Sequence, residues 1–378
     1  MNICMLTSTA FPLIGGLETV VHNLSTALAN SGHKVYHITP RNPCSGPDRH
    51  YNYKVIKFGF KGYGRLKLVT SSALCILAYV VKRHSIDIIN VHNVSTPGSW
   101  AYYFKQFFRG IPVIGTPHGD DIQIFPKIGW GIRLDPHQDR VIRRNLKSFS
   151  KVVAISPSIR QELLGLGLDE KNIASIPNGI WYSNLTGPID TSQTRKRFSI
   201  PTDTINLISV GRNHPVKGFH HVLDTVSTLK KMGFNISYTL VGRDMESIRQ
   251  KAEMLSISDK IITPGEVDSN TVSYLLKSSD IFISSSLIES FGLTTLEAMV
   301  SGLPCVVTDA AGSKDLVSRE FGIFYEFGDI EQLTNSILFL LKNPSERDRM
   351  GEAAKQAGSE YDWRKISNQY ENVYKSVL

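Results

Sequence analysis

The chain has 378 residues, more than a single hydrophobic core usually organises, so two domains are expected. A hydrophobic content of 41% with 20% charged residues excludes a disordered, a collagen-like or a multi-span membrane chain. The formal charge of +8 is uneven, with 21 basic against 10 acidic residues through Leu185 and 21 against 24 after it, which points the first half toward an anionic partner.

From the first residue, short β-rich apolar runs alternate with amphipathic stretches. Strands are expected over 3–8, 35–39, 55–58, 86–92, 113–116 and 152–155, and helices over 17–30, 66–83, 99–108 and 133–148. The apolar stretch 66–81 has Arg65, Lys67, Lys82 and Arg83 at its ends, but it is too short and, with Thr70, Ser71 and Ser72, too hydroxyl-rich for a membrane span, so it reads as a helix on a sheet. Between 176 and 204 no period is sustained, and the domain junction is placed there. Alternation then restarts, with strands expected at 205–210, 237–241, 260–263, 281–284 and 304–308 and helices at 219–232, 245–255, 272–277 and 293–301. The N-terminus shows no export signal, and Cys4, Cys44, Cys75 and Cys305 have no metal spacing. Three of them, Cys4, Cys75 and Cys305, lie in apolar runs and are expected as small core residues. A cytoplasmic protein, peripheral on the inner face of a membrane where it meets lipid, is the expectation.

Four segments carry chemistry. The run Glu289-Ser-Phe-Gly-Leu-Thr-Thr-Leu-Glu297 follows a strand and opens a helix, so the amides of Phe291, Leu293 and Thr294 beside Gly292 suit a diphosphate. Thr294 adds a hydroxyl, and Glu297, one turn in, is placed to accept from vicinal hydroxyls. Simple N-terminal helix charge is the plain alternative for both glutamates. In Val210-Gly-Arg-Asn-His-Pro-Val-Lys217-Gly218, Arg212 offers a fork of donors and Lys217 a compact charge, as expected where a diphosphate leaves without a metal. A glycine pair, Gly15-Gly16, enters a helix after the first strand. The fourth segment, Thr116-Pro-His-Gly-Asp-Asp121, sets His118 at a strand end, where a structural histidine is the commoner reading. Asp120 and Asp121 lack the companion ligands of a metal site.

Taken in order, Gly15-Gly16-x-Glu18, His118-Gly119, Ala154-Ile-Ser-Pro-Ser158, Pro177-Asn-Gly179, Gly211-Arg212 with Lys217-Gly218, and the pair Glu289 and Glu297 resemble the glycosyltransferase family 4 group of the GT-B superfamily over nearly the whole chain. The resemblance implies an α/β chain of GT-B architecture: two facing Rossmann-like domains with a deep interdomain cleft. Residues 1–180 would form the acceptor-side domain, rejoined by a helix over 361–378, and 181–360 the donor domain. It implies a retaining transferase that moves a hexose from a nucleotide-diphosphate sugar, with no cofactor and no obligatory metal. Arg212 and Lys217 would neutralise the leaving diphosphate and the amides at 292–294 hold its oxygens. Glu297 would bind ribose, Gly16 would approach the distal phosphate, Gly265 and Val267 would line the base, and Glu289 and His118 would flank the sugar. Gly15, Glu18 and Asp120 fall on the acceptor side.

The acceptor is expected to be a lipid-linked or cell-surface saccharide precursor, with Lys127, Trp130, Arg133, Arg140, Arg143 and Arg144 as a contact group for an anionic membrane and no nucleic-acid partner. A small soluble acceptor, a nucleotide-sugar epimerase on the same architecture and a noncatalytic binding module are the alternatives.

Overall fold

The computed structural model describes residues 1–11, 15–41, 51–59 and 66–378; residues 12–14 of the glycine-pair segment, Cys44 and Arg65 lie outside them. The chain divides into unit 1, Met1–Gly179 with Trp363–Leu378, and unit 2, Ile180–Asp362.

Among the described residues, unit 1 has seven strands: β1 (Asn2–Leu6), β2 (Lys34–Pro40), β3 (Lys54–Phe58), β4 (Ile88–His92), β5 (Val113–Thr116), β6 (Lys151–Ala154) and β7 (Ile173–Ser175). They form one parallel sheet in the order β3-β2-β1-β4-β5-β6-β7. All five residues of β4 and all four of β5 are buried, as in a parallel sheet covered on both faces. The helices are α1 (Gly16–Asn30), α2 (Leu66–His84), α3 (Thr96–Phe107), α4 (Pro136–Ser148) and α5 (Pro157–Gly165).

Helix α3 starts earlier than the periodicity suggests because Pro97 suits a first helical turn. Helix α4 starts later. Asp135 caps it by accepting from the His137 amide at 2.7 Å, while 132–134 form a 3₁₀ turn, so Arg133 precedes the helix. Cys4 and Cys305 are buried as expected, but Cys75 is exposed. Helix α2 turns Ala73, Leu77 and Val80 inward, three to four residues apart, which leaves Cys75 on the opposite face. No helix among the described residues is long and apolar enough to cross a membrane.

The 176–204 stretch is not irregular throughout. It holds α6 (Tyr182–Thr186) and α7 (Thr191–Arg197), which pack on helices of unit 2. Helices of five and seven residues are too short to print a period in the sequence.

Unit 2 continues with β8 (Ile205–Val210), α8 (Phe219–Lys231), β9 (Ile236–Val241), α9 (Glu246–Met254), β10 (Ile261–Gly265), α10 (Ser269–Lys277) and β11 (Ile281–Ser284). It closes with α11 (Leu293–Val300), β12 (Cys305–Thr308), α12 (Ala311–Leu316), β13 (Gly322–Tyr325), α13 (Ile330–Lys342) and α14 (Pro344–Gly358). Its parallel sheet runs β10-β9-β8-β11-β12-β13. In both units the strand order reverses beside the first strand, at β1/β4 and at β8/β11. Ligands of open α/β sheets bind outside the strand carboxyl ends at such switch points.

The chain ends in α15 (Trp363–Lys375), which belongs to unit 1. Trp363, Ile366, Tyr370 and Tyr374 recur every three or four residues and are all buried, so one stripe of the helix completes the core. Inside that core, Asn90 of β4 donates to the Tyr374 hydroxyl at 2.7 Å and accepts from Thr116 of β5 at 3.0 Å. Replacing Tyr374 by Phe leaves a buried amide without its acceptor. We predict a loss of about 1–3 kcal/mol of stability, read as an earlier urea or thermal unfolding transition, with the far-ultraviolet dichroism unchanged.

Candidate active site

In unit 2 the β8 strand ends at Val210, and Pro215–Lys217 turns through one 3₁₀ turn into α8. Gly218 makes the turn possible: its φ is +60°, and a Cβ there would meet the Ser285 carbonyl at 2.4 Å. Lys217 then reaches back across the switch point. Its ammonium donates to Glu289 Oε2 at 3.1 Å and lies 3.4 Å from Ser286 Oγ, while the Ser285 hydroxyl donates to the Lys217 carbonyl at 2.6 Å. Val216 and Leu287 are also joined through the backbone at 2.7 Å. Two loops 72 residues apart in sequence are thereby locked together, with a lysine and a glutamate at their tips.

Arg212 is exposed, and its guanidinium has no partner among the described residues. The loop that carries it is fixed. Asn213 donates to the Asp244 carbonyl at 2.9 Å and to Ser247 Oγ at 2.8 Å, so this asparagine has a structural task.

Helix α11 opens at Gly292, whose φ is +94°. Its first intrahelical bond runs from Leu296 to Gly292, which leaves the amides of Leu293, Thr294 and Thr295 without helical partners. Phe291 is buried, its ring 6.1 Å from that of Tyr361. Glu297 follows on the same helix. Its carboxylate bonds no described group, and burial pushes it up to about 7. The Glu289 carbonyl is held by the Gly312 amide at 3.1 Å, and a Cβ on Gly312 would strike that carbonyl at 2.4 Å.

Gly265 and Val267 lie at and just beyond the end of β10, the edge strand. The Gly265 carbonyl accepts from Gly242 at 3.0 Å, and a Cβ on Gly242 would lie 2.0 Å from the Gly211 carbonyl. Three adjacent strand ends are thus capped by glycines in mutual contact.

In unit 1, Gly15 and Gly16 open α1, and the Glu18 carboxylate folds back to 2.3 Å from where a Gly15 Cβ would stand. Asp120 is open to solvent on one side, yet partial burial raises its carboxyl, and the nearby Glu18 charge raises it further. Asp121 has a different task. Fully buried, it accepts from the amides of Val94 at 2.7 Å, His118 at 3.0 Å and Gly119 at 3.1 Å, and fastens the loops after β4 and β5 to each other. Desolvation, followed by the Asp120 charge, raises it to about 6. His118 is partly buried, with Nε2 3.0 Å from Nδ1 of His92. Burial lowers it to about 4.

The proposed cationic contact group is mostly committed elsewhere. Arg133 is 7% exposed along its side chain and bonds Asp139 at 2.7 Å and the Ile122 carbonyl. Arg143 bonds the same aspartate at 2.7 Å, and Arg144 lies 4.0 Å over the Tyr102 ring. Lys127 and Arg140 remain exposed without ion-pair partners among the described residues, and Trp130 is half-buried. Among the described residues no three His, Cys, Asp or Glu side chains group as a metal site.

Sequence reasoning passed over Ser285, Ser286, Gly242, Gly312 and His92, and weighed Asp121 only as a metal ligand, not as the anchor of two loops. Two signals were available: Val241-Gly242-Arg243 repeats Val210-Gly211-Arg212 at the end of the next strand, and three serines in a row close β11. For Gly312 and Asp121 the partners are backbone groups brought in by the fold.

Family models for glycosyl transferases group 1 and for glycosyltransferase family 4 match residues 190–357 and 14–181. The N-acetyl-alpha-D-glucosaminyl L-malate synthase of Bacillus anthracis is 28% identical over 98% of this chain and 96% of its own. The phosphatidyl-myo-inositol mannosyltransferase of Mycobacterium leprae is 25% identical over 100% and 97%. The crystal structure of Anabaena Alr3699/HepE in complex with UDP and glucose superposes with a TM-score of 0.82 at 20% identity, covering 100% of both chains. With matching models over both halves and two parallel α/β units built alike, the chain belongs to the glycosyltransferase family 4 group and is a glycosyltransferase of GT-B fold.

Proposed function

We propose that the protein transfers a hexose, with retention, from a nucleotide-diphosphate sugar to a lipid-linked or cell-surface saccharide precursor, with no obligatory metal. The observation that carries the donor side is the Lys217–Glu289 pair at the switch point of unit 2, together with Arg212, which has no partner among the described residues, and the open amides of α11. A departing diphosphate attracts both cations, and the amides of Leu293 and Thr294 meet its oxygens without reorganisation. The bond from the anomeric carbon to the phosphate oxygen breaks with its electron pair going to the phosphate. The acceptor oxygen bonds to that carbon, and its proton passes to the departing phosphate. Glu289, held by Lys217, steadies the positive charge at the anomeric carbon. Glu297 accepts from the ribose hydroxyls, Gly265 and Val267 line the base, and Gly16 approaches the distal phosphate. Uridine is the favoured base, because a structural neighbour of similar fold holds UDP with glucose.

The acceptor side rests on charge. Unit 1 carries 24 basic against 11 acidic residues and unit 2 carries 18 against 23, so an acceptor bearing phosphate, or an anionic lipid surface, suits unit 1, where Gly15, Glu18, His118 and Asp120 lie. A small soluble acid is the second reading, favoured by the full-length similarity to a synthase of a glucosaminyl malate. Incubation of labelled UDP-sugars with phosphate-bearing lipid or with L-malate, in EDTA, decides between them. Label is expected in the lipid fraction, α-linked from an α-linked donor, and undiminished by chelation. Transfer only to malate moves the assignment to the second reading, and an inverted product or activity that returns only with manganese removes the mechanism.

Arg212→Ala and Lys217→Ala are each expected to lower kcat/KM by about 2 kcal/mol, roughly thirtyfold, or more. Arg212 is exposed and its guanidinium has no hydrogen-bond or ion-pair partner among the described residues, so that variant should unfold at close to the wild-type temperature. A soluble pair with unchanged turnover would remove both from the diphosphate site.

A pH dependence follows from Glu297. The free enzyme holds its proton until about pH 7, whereas a carboxylate accepting two ribose hydroxyls must be ionised. Donor binding therefore releases a proton, so affinity for UDP-glucose is expected to rise with pH through 7 and level off above it. Below 7 the slope approaches about tenfold per pH unit. Calorimetry of wild type and Glu297→Gln tests this: the slope should vanish in the variant.

A further inference from the structure

Four neighbouring strands, β2, β1, β4 and β5, bring the buried His37, Thr7 and His92 and the partly buried His118 into one polar row in unit 1. His37 Nε2 is 2.8 Å from the Thr7 hydroxyl, and His92 Nδ1 is 3.0 Å from His118 Nε2. Two ring nitrogens in the row, His37 Nδ1 and His92 Nε2, are sealed from solvent with no partner among the described residues. Burial keeps all three rings neutral at ordinary pH: His118 falls to about 4, His37 to about 3 and His92 well below the usual range.

A neutral imidazole carries one N–H and one lone pair, so each bond in the row constrains a tautomer. The Thr7 hydroxyl gives its proton to the Thr9 carbonyl, so it can only accept from His37. The His37 proton is therefore on Nε2, and its sealed Nδ1 is a bare lone pair. The same logic applies to His92. A proton on its sealed Nε2 would be a buried donor with nothing to receive it, whereas a proton on Nδ1 enters the contact with His118.

We infer that His92 is a positioning residue: its Nδ1–H donates to His118 Nε2 and holds His118 in the tautomer that carries its proton on Nδ1. His118 then offers a hydrogen-bond donor, and no base, on the ring edge that bonds no described group. A sugar or acceptor oxygen meeting that edge is an acceptor of this hydrogen bond. Two further devices fix the ring. Asp121 anchors the His118 amide, and Asn93, at φ +72°, is held in the left-handed region just after His92 by donation from the Ser95 amide to its side chain at 3.0 Å. The kinetic consequence of this assignment rests on the glycosyltransferase reading above; the tautomer does not.

The test uses ring-15N-histidine protein and long-range 1H–15N correlation at pH 7, with His118→Gln to assign the His118 signals. Wild type is expected to show His118 protonated on Nδ1. His92→Phe removes the donor and should move His118 to the Nε2-protonated form or a mixture. It should also lower kcat about tenfold or more, with KM for the nucleotide sugar within about twofold. His92→Asn places an amide N–H near the position of Nδ1 and should restore both the tautomer and most of kcat. A wild-type His118 protonated on Nε2, or Phe and Asn variants alike in tautomer and kcat, overturns the inference. Should His92→Phe fail to fold, the wild-type spectrum and the Asn variant still decide. If the tautomer is as stated but no nucleotide sugar is turned over, the proposed function falls and the positioning role stands.

Discussion

A parallel sheet buried on both faces has no room for chemistry along its strands. Strands such as β4 and β5 are apolar or internally bonded from end to end, and helices cover what remains. Charged and catalytic groups are therefore pushed to the one place where the backbone runs out of sheet partners, the carboxyl edge. Every loop that carries a candidate group here leaves that edge. Each such loop must also be held against its neighbour, since a lone loop at a sheet edge has no support of its own.

The two units meet this demand by different means. In unit 2 the support is partly ionic and partly steric: Lys217 against Glu289, with Gly218, Gly242 and Gly312 allowing backbone to press on backbone. The pair is only partly buried, at 29% and 16% exposure of the two side chains, so it avoids the desolvation penalty of a sealed ion pair and can be rearranged by an incoming anion. In unit 1 the support is a hydrogen-bonded lattice of neutral groups around one buried carboxylate, Asp121. Such a lattice holds geometry well and responds little to ionic strength. Unit 2 is thus the electrostatically adjustable half at its switch point, and the histidine row of unit 1 the rigid one.

Much of this was legible in the sequence. Strand runs such as 205–210 and 113–116 coincide with β8 and β5 because a buried parallel strand prints as a short, uncharged, β-rich and mostly apolar run, and the charge at the loops after them stands out by contrast. The contact of Lys217 with Glu289 was not legible, because pairing across 72 residues depends on which strands become neighbours. The arginines of the 133–144 region show what composition leaves out. Composition counts charges without their partners, and Asp139, one acid among many bases, neutralises two of them from its place on α4. The orphaned nitrogens of His37 and His92 have no sequence signal at all, since only a folded interior can seal an atom from water.

The Asn90–Tyr374 bond ties the middle of unit 1 to a helix encoded 284 residues later. On a ribosome, residues 1–179 emerge without the stripe of Trp363, Ile366, Tyr370 and Tyr374 that finishes their core, while the whole of unit 2 appears before that stripe does. At about 5–20 residues per second, the wait lasts roughly ten to forty seconds. Throughout that interval the later-made unit can close its own core while the earlier-made one stays open along the groove α15 will fill. The half of the chain synthesised first is therefore the half completed last, and the nascent first unit, with its apolar seam uncovered, is the segment most exposed to chaperones and to aggregation.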